Sequence, residues 1–144
     1  MQNQPPVQVN NAPPVQVAKS STGLDENVAA LLSYVFTWVS GLIFFLMEKE
    51  SRLVRFHAMQ AILLGGTAIV VGIGLWILSF ILVIILGQIS GILATLVSVV
   101  TGLMILLFFV GILIAWVMCL IKAYQGQYFK LPVIGNFAEK FSTK

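Results

Sequence analysis

No lysine, arginine, aspartate or glutamate occurs between Arg55 and Lys122 of this chain. Continuous apolar runs longer than about 18 residues are typical of segments that cross a lipid bilayer. The composition agrees, because 59% of the residues are hydrophobic and only 9% are charged, whereas about a quarter are charged in soluble globular proteins. The sequence therefore predicts an all-α integral membrane protein, a bundle of transmembrane helices.

Charge decides how many spans the uncharged stretch contains. Residues 58–121 would form about 96 Å of helix, which fits two long or three ordinary crossings of a hydrocarbon core about 30 Å thick. Lys and Arg in short loops stay on the cytoplasmic side, so an even number of spans must separate the basic clusters. These clusters are Lys49, Arg52 and Arg55 before the stretch and Lys122, Lys130, Lys140 and Lys144 after it. We predict a hairpin with helices over 53–86 and 92–123.

A second apolar run, over 28–47, predicts one more transmembrane helix before the hairpin. It lacks the basic start and the cleavage site of a secretory signal peptide, so we expect it in the mature protein. Three transmembrane helices result, with the N-terminus outside and the C-terminus cytoplasmic, and four spans are the alternative. After Pro132 we expect a short interfacial helix over 136–142.

The first 22 residues form a separate region, rich in proline and glutamine. The sequence PPVQV occurs there twice, at 5–9 and at 13–17. Such a segment has little apolar surface to bury, which predicts a flexible, partly polyproline II tail ahead of a transmembrane domain over 23–144. The tail is either a bare tether or a docking segment for a proline-reading partner.

Small side chains recur at three- and four-residue spacing in the predicted spans, which favours close helix packing. They are Ser33, Thr37 and Gly41 in the first helix, Gly65 and Gly66 in the second, and Ala94, Ser98, Gly102, Gly111 and Ala115 in the third. Such faces predict a homo-oligomer or contacts with other membrane proteins.

The densest group of polar residues opens the second helix. It contains Arg52, Arg55, His57 and Gln60. Arg55 and His57 point about 160° apart on a helical wheel, so the four do not converge on one small ligand. Together with Lys122 and Lys130 they are candidate contacts to anionic lipid headgroups or to a partner. The alternative is that they anchor the helix end at the membrane surface.

The sequence contains no recognisable catalytic motif, and we predict no enzyme activity, metal site or cofactor. His57 is the single histidine and Cys119 the single cysteine, whereas metal sites and acid–base pairs need further groups. The pI is about 9.3, but the scattered basic residues form no stripe that would follow a nucleic acid. The lipid bilayer is the expected partner.

Several short motifs resemble those of a known protein family. They are LSY at 32–34, EKESRLVRFHAMQ at 48–60, KAYQG at 122–126 and KLPVIG at 130–135. The chain resembles, over about 24–140, small prokaryotic membrane proteins of a domain family of unknown function. That family is similar to the twenty-kilodalton membrane subunit of the chloroplast inner-envelope import translocon. The resemblance implies a multi-pass protein of the cytoplasmic (inner) membrane, with protein translocation as a theme and four spans in the plastid subunit.

Our first functional hypothesis is a non-enzymatic component of a membrane assembly that self-associates or serves as an accessory subunit. The second is an oligomeric channel or transporter, since three spans are few for a pore within one chain. The third is a protein that binds or modifies lipid headgroups at Arg52–Gln60.

Overall fold

A computed structural model of the protein describes residues 18–142. The proline-rich repeat and the rest of the tail to residue 17 lie outside the described residues. Within them the protein is all-helical, as predicted. The helices are α1 (Glu26–Leu32), α2 (Trp38–Met47), α3 (Arg52–Gly87), α4 (Gly91–Tyr124) and α5 (Ile134–Ser142).

Helices α3 and α4 form the predicted hairpin, within one residue of the expected bounds at each end. The Ser51 side chain accepts a hydrogen bond from the Val54 N–H at 3.2 Å and so caps the start of α3. Further along, the Ser79 and Thr101 hydroxyls join the two helices at 2.8 Å. Within residues 18–142, these are the two helices that are long and apolar enough to cross a membrane. We call the end of the hairpin at Arg52 and Tyr124 the basic end.

The segment before the hairpin is not the single helix that we predicted over 28–47. It breaks between Leu32 and Trp38 into α1 and α2. Thr37, the last residue of the break, has a φ of 48°, which is rare for a β-branched residue. The segment is therefore two helices, and a single crossing by residues 28–47 is not confirmed.

The two ends of this segment lie together at the basic end. The Ser21 N–H donates to both carboxylate oxygens of Glu48, at 3.1 and 3.0 Å. The Asn27 side chain donates to the Tyr124 carbonyl at 3.1 Å. The chain thus runs away from the basic end along α1 and returns toward it along α2. We call Glu26–Met47 the re-entrant hairpin.

This reversal changes the predicted topology. Ser21 lies at the same end of the molecule as the C-terminus of α4, whereas a third crossing would have put these two regions on opposite faces. Neither the three-span prediction nor its four-span alternative is confirmed.

The inner end of the re-entrant hairpin reaches partway down α3 and α4. The Trp116 indole N–H donates to the Tyr34 carbonyl at 2.9 Å, and Trp38 packs against Gly65. Beyond this level, residues 70–108 consist of α3 and α4 alone with the turn between them. We call this part the distal hairpin, and large apolar side chains are exposed along both of its helices.

After α4 the chain turns back over the basic end before α5 begins. Gly126, with a φ of 68°, follows the last turn of α4 in the left-handed conformation that favours glycine. α5 covers the predicted interfacial helix and starts two residues earlier. A Cβ at Gly135 would lie 2.7 Å from the Lys130 Cα, so this corner of the chain admits only glycine without a backbone shift. α5 packs against α3.

Candidate functional site: a buried polar cluster at the basic end

His57 lies at the centre of a polar cluster and has no exposed surface. Its Nε2 is 3.0 Å from the Gln127 carbonyl oxygen, and its Nδ1 is 3.2 Å from the Tyr34 hydroxyl. A carbonyl oxygen only accepts hydrogen bonds, so Nε2 carries the proton and, in the neutral ring, Nδ1 accepts from Tyr34. His57 therefore joins three parts of the chain: the re-entrant hairpin, α3 and the segment after α4.

Gln60, one turn along α3, is also completely buried. Its side-chain Nε2 donates to the Phe129 carbonyl oxygen and to the Cys119 Sγ, each at 3.1 Å. Its Oε1 is buried without a hydrogen-bond partner among the described residues. Gln60 thus ties α3 both to α4 and to the returning C-terminal segment.

Glu48 lies between α2 and α3 and joins the two ends of the re-entrant hairpin. Its carboxylate accepts hydrogen bonds from the Ser21 hydroxyl at 2.7 Å and from the backbone N–H groups of Ser21, Glu50 and Ser51. Burial alone would raise the pKa of this carboxyl, but the hydrogen bonds outweigh it and lower the pKa below its usual value. Glu48 is therefore a charged residue whose acceptor oxygens hold the chain before α1.

The two arginines lie beside this cluster, and Arg55 is half-buried. The Arg55 guanidinium stacks 5.1 Å from the centre of the Phe45 ring and donates to the Glu48 carbonyl at 3.4 Å. Arg52 is exposed and lines a groove of about 330 Å³ together with Phe56, Tyr128, Glu139 and Ser142. Burial, then the charge of Glu26, raises the pKa of Tyr128, against the opposing effect of Arg52.

The two candidate lysines contact side chains close to them. Lys122 donates to the side-chain oxygens of Gln125 and Gln127, at 3.3 and 3.0 Å. Lys130 and Glu139 form an ion pair at 2.8 Å with both side chains about half exposed, an arrangement that contributes little stability in water. The six predicted headgroup contacts therefore do not form one site: His57 and Gln60 are interior, and the basic residues are spread over the surface of the basic end. Headgroup binding by those basic residues stays a prediction.

The small residues also divide into two groups. Gly41 and Gly65 lie in tight contacts inside the protein, against Ala58 and Trp38 respectively. Ser33 is buried and donates to the Ala29 carbonyl, Thr37 forms the break, Ala94 faces Gly87, and Ala115 packs against the core. By contrast, Gly66, Gly102 and Gly111 have open space where a Cβ would be, and Ser98 is exposed.

Sequence reasoning did not assign Tyr34, Glu48 and Cys119 to this cluster. Tyr34 and Glu48 were noted only within the motifs at 32–34 and 48–60, and Cys119 only as the single cysteine. The available signal was the LSY motif at 32–34 beside the motif at 48–60, because both contain polar groups that need partners in an apolar setting. Among the described residues, no group of three or more His, Cys, Asp and Glu side chains could hold a metal ion.

Residues 24–138 match the model of the magnetosome magnetite crystal formation protein family. The chain belongs to this family. The match includes α1 to α4 completely, the buried polar cluster and the first half of α5.

Curated relatives of this family member are archaeal. A UPF0132 membrane protein of Methanocaldococcus jannaschii is 42% identical over 126 residues, covering 88% of this chain and 96% of the relative. One from Archaeoglobus fulgidus is 38% identical over 117 residues, covering 81% of this chain and 95% of the relative. No solved structure matches the chain. The relatives are named membrane proteins, which supports a membrane location, whereas similarity to the chloroplast translocon subunit stays a prediction.

Proposed function

We propose that this protein is a non-enzymatic, architectural component of the cytoplasmic membrane that crosses the bilayer twice and associates laterally through its distal hairpin. The observation that supports this proposal is the hydrogen bonding of the buried polar side chains. Tyr34, Glu48, His57 and Gln60 each hydrogen-bond to another part of the same chain. They hold the re-entrant hairpin and the C-terminal segment against α3, which is a structural task.

The charges of the described residues support a membrane orientation. All of them lie at the basic end, because residues 27–47 and 56–121 contain no Lys, Arg, Asp or Glu. Basic residues in short loops favour the cytoplasmic side. We therefore place residues 18–25, the α2–α3 connection and α5 in the cytoplasm and the turn at Gln88 outside.

Labelling of single cysteines should reveal this orientation. In a Cys119→Ser background, which keeps an acceptor for Gln60, we expect Ala18→Cys and Gln127→Cys to react with a membrane-impermeant maleimide from the same side. Gln88→Cys should react from the opposite side, because it lies at the far end of two crossing helices. Labelling of Ala18→Cys from the same side as Gln88→Cys would contradict the proposed topology and restore a crossing by residues 28–47.

Lateral association follows from the distal hairpin. Two helices that pack only on each other leave most of their side chains facing outward, and Val70 and Leu107 are 72% and 68% exposed. Three glycines in or next to the distal hairpin have open space where a Cβ would be, so another helix could approach closely at these positions. They are Gly74, Gly102 and Gly111. A second copy offers a hairpin of the same length at the same depth, related by a two-fold axis along the membrane normal.

Oxidative cross-linking in native membranes should test this association. With Cys119→Ser as background, Val70→Cys or Leu107→Cys should yield a disulfide-linked dimer. Ser79→Cys is the matched control, because Ser79 faces Thr101 within the same chain and should stay monomeric. Monomer at both exposed positions would contradict self-association, and a single cross-linked protein of another mass would indicate an accessory subunit.

The alternative functions predict different experimental results for the same protein. If the protein forms an oligomeric channel, proteoliposomes that contain it should show ion or solute flux in addition to the cross-linked dimer. The architectural proposal expects no such flux. A role in protein translocation, implied by the resemblance, and a lipid-modifying activity stay predictions without a contact in the described chain that favours them.

A further inference from the structure

The protein is broad at its basic end and narrow at its far end. Parts of α1, α2, α3 and α4 lie side by side near Arg52, whereas the distal hairpin contains two helices. Burial follows the same division: the buried residues of α3 run from Leu53 to Gly65, with Gly72 alone beyond them. On α4 the buried residues are Cys119 and Ala123, both near its C-terminus.

The depth of the broad part matches one leaflet of a bilayer. Trp38, at the inner end of α2, packs against Gly65, which follows Arg52 by 13 residues. At 1.5 Å per residue this is about 20 Å along α3. Half of a bilayer, with its headgroups, is also about 20 Å thick. With Arg52 at the membrane surface, as in the topology proposed above, the re-entrant hairpin ends near the bilayer midplane.

The cross-sections of the two halves differ accordingly. A helix about 10 Å across occupies roughly 80 Å² of a leaflet. Four helices at the basic end then occupy roughly 320 Å², and the two helices of the distal hairpin occupy roughly 160 Å². α5 adds to the larger side, because its Phe137 and Phe141 are exposed apolar side chains beside Lys140. Amphipathic helices of this kind bind at the membrane surface in a curvature-sensitive way.

From this shape we propose that the protein acts as a one-leaflet wedge, which prefers and promotes membranes that bulge toward its basic end. The larger section expands the leaflet that holds it, and an expanded leaflet is the outer one of a curved membrane. The proposal rests on the topology given above. With the basic end in the cytoplasm, the favoured shape is a cytoplasmic membrane that bulges inward, into the cytoplasm.

Sorting between flat and tubular membrane tests the wedge. Cys119→Ser/Gln127→Cys protein carrying a fluorophore is reconstituted into giant vesicles of zwitterionic phosphatidylcholine, which removes attraction between anionic lipid and the basic residues. A narrow tube is pulled from each vesicle, and an impermeant quencher reports which molecules have the basic end outside. These should be enriched severalfold in the tube, increasingly as it narrows, while molecules with the basic end inside should be depleted.

Both populations are the same folded protein, so a difference between them reports orientation rather than stability. Equal sorting of the two orientations, or the reverse sign, would overturn the wedge. A failure of the topology is distinguishable, because Ala18→Cys would then react from the side opposite to Gln127→Cys in the labelling experiment described above.

Discussion

Replacing Gly41 by alanine is expected to destabilise the folded protein by about 1 to 3 kcal/mol, the usual cost of overpacking, and replacement by leucine by more. A Cβ at this position would lie 2.8 Å from the Ala58 carbonyl oxygen and 3.1 Å from the Ala61 Cβ. The carbonyl belongs to the hydrogen-bonded backbone of α3 and cannot move away cheaply. α2 must therefore shift, and the contact that seats the re-entrant hairpin is lost.

Gly66 provides the matched control for Gly41. It also lies in an apolar helix, but it has no atom within 4 Å of the position that a Cβ would take. Alanine is a better helix former than glycine by up to about 1 kcal/mol, so Gly66→Ala should leave stability unchanged or raise it. Unfolding by SDS in mixed micelles measures both variants, and similar shifts for Gly41→Ala and Gly66→Ala would contradict the tight contact between α2 and α3.

The long hairpin could be predicted from sequence because one physical quantity decides it. Residues 56–121 lack charge, and water-exposed apolar chain of that length is too costly, so the stretch must form helices in lipid. The requirement that the basic clusters share a side gives two crossings, and a turn at 87–91 then lies near the middle of the stretch. The observed bounds of α3 and α4 agree with this argument.

The break in the first segment could not be predicted in the same way. Residues 28–47 have the length and hydrophobicity of a single span, and glycine or proline does not mark the break at 33–37. Hydrogen bonds from particular side chains stabilise it instead. The Ser40 hydroxyl accepts from the Phe36 N–H at 3.0 Å and donates to the Ser33 carbonyl at 2.8 Å, while Trp116 satisfies the Tyr34 carbonyl. Hydropathy averages over such contacts and does not detect them.

For a similar reason, only part of the candidate site could be identified from the sequence. Sequence alone indicated that His57 and Gln60 are polar residues at the start of a membrane helix, and lipid headgroups, a partner protein or the membrane surface were their expected contacts. In the structure they are interior, because the chain after Gly126 folds back and offers the carbonyls of Gln127 and Phe129 as acceptors. That return depends on the backbone conformation after α4, which helix periodicity does not describe.

His57→Ala is expected to lower the free energy of unfolding by about 3 kcal/mol or more. The substitution leaves a cavity and removes the hydrogen-bond partner of the buried Tyr34 hydroxyl and of the Gln127 carbonyl. Because these groups belong to the re-entrant hairpin and to the C-terminal segment, both should loosen from α3. Unfolding in mixed micelles gives the magnitude, and faster trypsin cleavage after Lys130 in mild detergent reports the release of the C-terminal segment.

A double-mutant cycle with Tyr34→Phe separates the hydrogen bond from the loss of packing. Once His57 is alanine, removing the Tyr34 hydroxyl should cost less than it does in the natural protein, with a coupling energy of about 0.5 to 3 kcal/mol. His57→Gln should recover part of the loss, because its side-chain amide can donate to the Gln127 carbonyl from near the Nε2 position. Additive effects of Tyr34→Phe and His57→Ala, with no rescue by glutamine, would mean that His57 acts through its volume alone and does not link the two segments.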